Sequence, residues 1–232
     1  MKAFVLLITL LMFSLHADKK ALEAFKQHNY KEAYKLYKID ATKDNSSAQS
    51  ALSYLYFNGY GIEKNSAKGL FWLEKSAHNM NVNAQYDLGM MYLTGNNVEK
   101  NLKLAYSWLD SASDLGSVDA KYNLALMYYK GDGVDENITH TLSLLEEAAS
   151  TGHKGAIDNI AVIYMQVLKF DKAIKWLKVN AKNGNVKAYY LLGEIYSQQE
   201  KFVEAKKWVK KSMEYGNKNA IQLWKEYNLE KY

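Results

Sequence analysis

Cysteine, proline and arginine are all missing from this chain of 232 residues. Without cysteine there can be no disulfide, no thiolate metal site and no cysteine nucleophile. Without proline nothing removes a helical N–H or clashes with the preceding turn, so long helical stretches go uninterrupted. Without arginine the planar donor fork that suits phosphates and guanine edges is lost. All 30 basic residues are lysine, which we read as genome composition rather than design. The net charge of +5 is modest for this length and gives nucleic-acid binding little support.

Several chemical motifs are absent as well. His28, His78, His140 and His153 show neither H-x-x-x-H nor H-E-x-x-H spacing, so no zinc site is expected. His78 and His153 fall near the ends of second helices, where solvated capping is the expected role. The glycine loops lack the G-x-x-x-x-G-K-[ST] spacing of a phosphate cradle. No cofactor is expected.

The first seventeen residues differ from the rest. Lys2 gives a positive start, Ala3 to Phe13 is an apolar run, and Leu15-His16-Ala17 ends on a small residue. This is the layout of a secretory signal peptide with cleavage after Ala17. The run is too short to span a bilayer, which takes ~20 residues, and no cysteine follows it to mark a lipoprotein. The expectation is a periplasmic or secreted protein with no stable membrane insertion after cleavage.

Internal repetition organises the remainder. Alanines at 48, 84, 120, 156, 188 and 220 are spaced by 36, 36, 36, 32 and 32 residues. Four positions on from each is an apolar residue: Leu52, Leu88, Leu124, Ile160, Leu192 and Trp224. Five on is small (Ser53, Gly89, Ala125, Ala161, Gly193), and eight on is tyrosine (Tyr56, Tyr92, Tyr128, Tyr164, Tyr196). Steps of four and eight share one helical face, which defines a helix A in each unit. A second helix, B, follows, with apolar anchors at Trp72, Trp108, Leu144, Trp176 and Trp208, each twelve residues before the next alanine. Leu36 holds the same place in an earlier, degenerate unit. Ala33, Ala105, Ala173 and Ala205, three residues before the B anchors, make a second small contact.

The A-to-B connection is the most specific signal. It reads Gly59-Tyr-Gly-Ile-Glu-Lys-Asn65, Gly95-Asn-Asn-Val-Glu-Lys-Asn101 and Gly131-Asp-Gly-Val-Asp-Glu-Asn137. The leading glycine suits the left-handed end of helix A. Gly61, Asn97 and Gly133 tolerate a second positive φ, and Ile62, Val98 and Val134 are placed to plug the gap between helices. Asn65, Asn101 and Asn137 stand where helix B needs its N-cap, each contributing ~1 kcal/mol.

These residues resemble the Sel-1-like repeat, a variant of the tetratricopeptide repeat. The pattern A-x-x-x-L-G-x-M-Y-x-x-G-x-G-V is nearly complete at Ala84 to Val98 and Ala120 to Val134. Units 18–47, 156–187 and 188–219 lack the glycine loop and look like plain tetratricopeptide repeats, with Tyr30, Phe170 and Phe202 opening helix B. The reading is a signal peptide at 1–17 and one repeat domain at 18–232, with units 18–47, 48–83, 84–119, 120–155, 156–187 and 188–219 and a cap at 220–232. One hairpin cannot bury its apolar stripe alone, so neighbours must supply the core. The resemblance implies an all-α fold, a right-handed superhelical α-solenoid of six helix-turn-helix repeats plus a C-terminal capping helix. It also places helix A on the concave side.

Function follows as expectation. An exported, monomeric, non-enzymatic scaffold binding a protein or peptide is the first reading. The alternative is a cell-envelope enzyme of the β-lactamase or penicillin-binding type, an activity attached to cysteine-rich Sel-1-like relatives. Serine enzymes of that kind need S-x-x-K, which is absent; Thr151-Gly-His-Lys154 is the nearest approach, broken by Gly152. Tyr86, Tyr122 and Tyr190 recur two residues after the alanine anchors and are expected to pack within repeats rather than stack bases or sugars. Recognition is expected at three, six and ten residues past each anchor, away from the buried stripe. From those positions we take Tyr54, Asn58, Asp87, Met90, Asn123, Leu126, Lys130, Asn159, Gln166 and Glu194 as candidate partner-binding residues.

Charge is banded: +3 over 18–83, −5 over 84–155 and +6 over 156–232. The pairs Lys206-Lys207 and Lys210-Lys211 read as a solvated outer face. Asn137 also heads an N-x-[ST] glycosylation sequon, with an acid two residues before it, but its place as an N-cap is the stronger explanation.

Overall fold

The computed structural model describes residues 19–232; the segment read as a signal peptide, with its cleavage point, lies outside them. Among the described residues the fold is all-α, an α-solenoid of paired helices with no strand. Helix α1 covers 19–26. It is followed by α2 (Tyr30–Ala41), α3 (Ser46–Asn58), α4 (Ser66–His78), α5 (Val82–Thr94), α6 (Leu102–Asp114) and α7 (Val118–Lys130). Then come α8 (Ile138–Ser150), α9 (Lys154–Gln166), α10 (Phe170–Lys182), α11 (Val186–Gln198), α12 (Phe202–Glu214) and α13 (Lys218–Glu226), with a 3₁₀ turn at Leu229–Lys231. Odd-numbered helices are helix A and even-numbered ones helix B. Packing groups them into two compact units: residues through Met127 with Gly131–Asp135, and Tyr128–Lys130 with Glu136–Tyr232.

Side-chain caps fix where the helices start. Asn65, Asn101 and Asn137 accept from the backbone N–H of Lys68, Leu104 and His140, as their spacing required. A second series, not singled out in the sequence, caps helix A: Asn45, Asn81, Ser117, His153, Asn185 and Asn217. His153 therefore opens α9 with its ring nitrogen, rather than closing the helix before it. His78 does close α4, through a 2.7 Å contact to the Glu74 carbonyl. Gly59, Gly95 and Gly131 end α3, α5 and α7 in the left-handed region, with φ of 73°, 78° and 70°.

The change of period from 36 to 32 is confined to the A-to-B connection. Seven residues join α3 to α4, α5 to α6 and α7 to α8, whereas three join α9 to α10 and α11 to α12. One backbone bond closes both kinds. Asn65, Asn101 and Asn137 donate to the carbonyls of Tyr56, Tyr92 and Tyr128 at 2.9–3.0 Å; Lys169 and Lys201 donate to those of Tyr164 and Tyr196 at 2.8 and 2.9 Å.

Inside the hairpins, the alanine anchors are essentially inaccessible. A small residue five further on is needed because helix B passes there. A Cβ on Gly89 would lie 2.6 Å from Leu109, and one on Gly193 would lie 2.5 Å from Val209. The large side chains buried deepest in these B helices are thus Leu73, Leu109, Leu145, Leu177 and Val209. Those taken as anchors sit one residue earlier: Leu144 and Trp176 are buried, but Trp72, Trp108 and Trp208 only half so. A shift of one residue turns a side chain by about 100° around the axis, enough to carry the indole to the rim. Lysines use that rim: the Lys75, Lys175 and Lys207 ammonium groups lie 5.5–5.7 Å over the rings of Trp72, Trp176 and Trp208.

Buried amides tie successive repeats. The Gln49 and Gln85 side chains donate to the carbonyls of Ala41 and Ala77 at 3.1 Å, and the Tyr189 hydroxyl makes the matching bond to Ala181 at 3.3 Å.

Candidate functional site

Burying the anchor stripe leaves the positions three, six and ten residues on turned outward, half-buried or exposed in α3, α5, α7, α9 and α11; in α13 the first of them, Leu223, is buried. Three of the candidates come together. Tyr54 on α3 and Asp87 and Met90 on α5 line a groove of about 380 Å³ in the first unit. Its apolar wall is Tyr54, Phe57, Leu73, Met90 and Met91, its polar edge includes Ser50, Thr94, Asn96 and Asn97, and Ser53 lies buried at its base. Tyr54 is 50% exposed and belongs also to a ring of aromatic contacts with Phe25, Tyr30 and Tyr60, with centroids 4.6–6.0 Å apart. That ring holds the phenol in place at low entropic cost.

The remaining candidates lie elsewhere. The Asn58 amide turns back to the Tyr54 carbonyl at 2.8 Å, and that of Asn123 to Asp119 at 2.8 Å and the Tyr86 hydroxyl at 3.4 Å. Leu126 is half-buried on α7, and Lys130 is exposed at its end. Gln166 accepts from the Tyr129 hydroxyl at 2.9 Å. Asn159 borders a smaller cleft of about 220 Å³ with Val162 and Leu191. Glu194 accepts from Tyr190 at 3.2 Å, in a cleft of about 340 Å³ that is lined almost entirely by polar groups.

On the helix B side, Glu146 accepts from the Tyr164 hydroxyl and from Lys172 at 3.3 Å; Lys172 also reaches the Tyr164 oxygen at 3.2 Å. Burial opposes the charge on Glu146, but the bonds from Tyr164 and Lys172 outweigh it and hold the carboxyl below its usual range. Burial raises the Tyr164 phenol, and its bonds to Tyr164 and Glu146 raise the Lys172 ammonium. Each shift favours the ordinary charge state at neutral pH, opposite to what an activated base or nucleophile needs. Glu74 and Tyr92 form a corresponding pair with the same spacing of 18 residues. Burial and the neighbouring Tyr34 push the Tyr56 phenol up to about 12.

Among the described residues no cluster of three or more His, Asp or Glu is placed to hold a metal ion. No described helix is long and apolar enough to cross a membrane. Asn137 is exposed, and its side-chain oxygen is engaged as the cap of α8.

Comparison with known proteins bears on this architecture. A Sel1 repeat protein from Oxalobacter formigenes is similar over 88% of this chain and 87% of its own, at 25% identity with a TM-score of 0.72. The c5321 protective antigen of uropathogenic Escherichia coli, which displays an SLR fold, is 28% identical over 82% of this chain, with a TM-score of 0.70. The chain spans only 43% of that antigen's length. No curated protein matches in sequence. The Sel1 repeat model matches residues 46–79, 82–117, 118–153 and 186–212, the last of these a unit without the glycine loop. With four repeats over more than half its length, the chain belongs to the Sel1 repeat family.

Proposed function

We propose that this protein is an exported, monomeric and non-catalytic scaffold that holds a protein partner on its helix A surface. Repeat proteins of this kind generally mediate protein–protein interaction. The observation that carries the reading is the groove between α3 and α5, where Tyr54 and Met90, both facing outward, meet an apolar wall edged by hydroxyls and amides. A buried core has no use for such a mixture, whereas a recognition surface does. Export rests on the layout of residues 1–17.

The test is capture from a cell-envelope extract by the mature protein, compared with Tyr54→Ala and Met90→Ala proteins of unchanged helicity. A specific protein retained by the first and released by the variants is expected. Equal retention by all three, or turnover of a chromogenic β-lactam, would reverse the reading. Fractionation with intact-mass measurement is expected to find a chain starting at Asp18 outside the cytoplasm, and sedimentation to find one copy.

A further inference from the structure

The groove contains a single ionised group, and that group has no counter-ion. Asp87 makes neither an ion pair nor a hydrogen bond among the described residues. Nothing in the repeat requires an acid there. The corresponding places in the other helices hold Ala51, Asn123, Asn159 and Leu191, so neither packing nor capping accounts for the carboxylate. Although the residue stands exposed at the groove, neighbouring atoms shield its carboxyl enough to push the pKa above the ordinary 3.8. An unpaired, partly desolvated charge beside a methionine and aromatic wall has the shape of half an interaction.

The missing half can be described chemically. It is positive, to meet Asp87. Its stem is apolar, to lie along Phe57, Met90 and Met91. It is attached to a backbone, since Ser50, Asn96 and Asn97 offer a hydroxyl and amides along the open edge. A metal ion fits poorly, because one carboxylate supplies too few ligands. Lysine and arginine side chains fit all three requirements, as they bury an aliphatic stem while presenting a charged head.

We propose, building on the scaffold reading above, that the groove between α3 and α5 takes a lysine or arginine side chain from a peptide segment of the partner, its cation pairing with Asp87 and its stem lying on Met90 and Met91. The partner is thus basic where it meets this face.

Fluorescence anisotropy on the mature protein tests this with two labelled twelve-residue peptides, identical in an alanine and leucine background except for a central lysine or glutamate. The lysine peptide is expected to bind about tenfold or more tightly than the glutamate peptide, the scale of one desolvated charge pair, and to weaken with salt. Asp87→Asn should abolish that preference without lowering the unfolding temperature, and Met90→Ala should weaken the lysine peptide while keeping its preference. Equal affinity for the two peptides, no binding of either, or a preference that survives Asp87→Asn overturns the proposal. Failure here is distinguishable from failure of the scaffold reading. An envelope protein captured equally by wild type and Asp87→Asn removes the basic-residue assignment but keeps the scaffold.

Discussion

Between α5 and α6 the chain takes seven residues to turn; between α9 and α10 it takes three. Both turns end in the same bond, from the backbone N–H before helix B to the carbonyl of the tyrosine eight residues past the alanine anchor. The long loop is therefore an excursion outside a closure that the short turn makes alone. What the extra residues add is twofold. They bring an asparagine cap to α4, α6 and α8, where Lys169 and Lys201 give α10 and α12 no side-chain cap, although the short turn before α2 supplies its own from Asn29. They also reach the preceding repeat: a Cβ on Gly61 would lie 2.2 Å from the Tyr30 carbonyl oxygen, and one on Gly133 would lie 2.4 Å from that of Leu102. Asn97, in the middle loop, keeps a positive φ of 61° while carrying a full side chain, so there the backbone does not press as closely. Helix closure and repeat-to-repeat contact are thus separable properties of this family's loop.

The sharpest way to break that comparison is Gly133→Ala. Both the left-handed backbone and the contact with a carbonyl that cannot yield oppose it, and a loss of about 3 kcal/mol is expected from thermal or urea unfolding. Asn97→Gly should change stability by less than about 1 kcal/mol. If the two behave alike, the second loop position is a turn and nothing more. Next in size, Gly89→Ala and Gly193→Ala should each lose about 1–3 kcal/mol, since the same small contact faces helix B in a long-loop and a short-turn repeat. A large difference between them would mean the two hairpins pack differently after all. Smaller still, Asn101→Ala should lose about 1 kcal/mol, whereas Lys169→Asn should gain up to about 1 kcal/mol by supplying the cap the short turn lacks, both read from denaturant midpoints at constant slope.

The smallest effect concerns Asp87. Its folded pKa lies above the unfolded 3.8, so the folded chain holds that proton more tightly. Its contribution to stability accordingly falls as pH rises from the unfolded value through the folded one, and the whole cost is present at neutral pH. Asp87→Asn should slightly raise the unfolding midpoint at pH 7 and leave it unchanged at pH 3. A lower midpoint at pH 7 would show that the carboxylate supports the fold.

Most of the fold was legible because each instruction is written several times. A single left-handed glycine is weak evidence, but Gly59, Gly95 and Gly131 stand at one spacing, each seven residues before a capping asparagine counted inclusively. Chemically mixed series were harder to read. The helix A caps are asparagine, serine or histidine, alike only in accepting a hydrogen bond, although their place three residues before every alanine anchor would have revealed them. Helix B was read one residue off because tryptophan outranks leucine in bulk, while the narrow gap beside Gly89 and Gly193 admits only the slimmer side chain. In the groove, Tyr54, Asp87 and Met90 were legible because they stand three or six residues past an alanine anchor, off the buried stripe. Phe57, Leu73 and Met91 were not, because a wall assembled from two repeats has no signature within either. Nor did anything in the sequence gather all ten candidates on one site, and the structure spreads them over several.

The tie between the Tyr92 carbonyl and the Asn101 amide has a consequence for grafting. Because the two ends of the excursion are already fastened together, an inserted segment begins and finishes at neighbouring points on a fixed frame. Lengthening it adds little closure entropy, only about 0.6 kcal/mol for each doubling. New sequence can therefore be displayed at these corners while the helices beneath keep their phase.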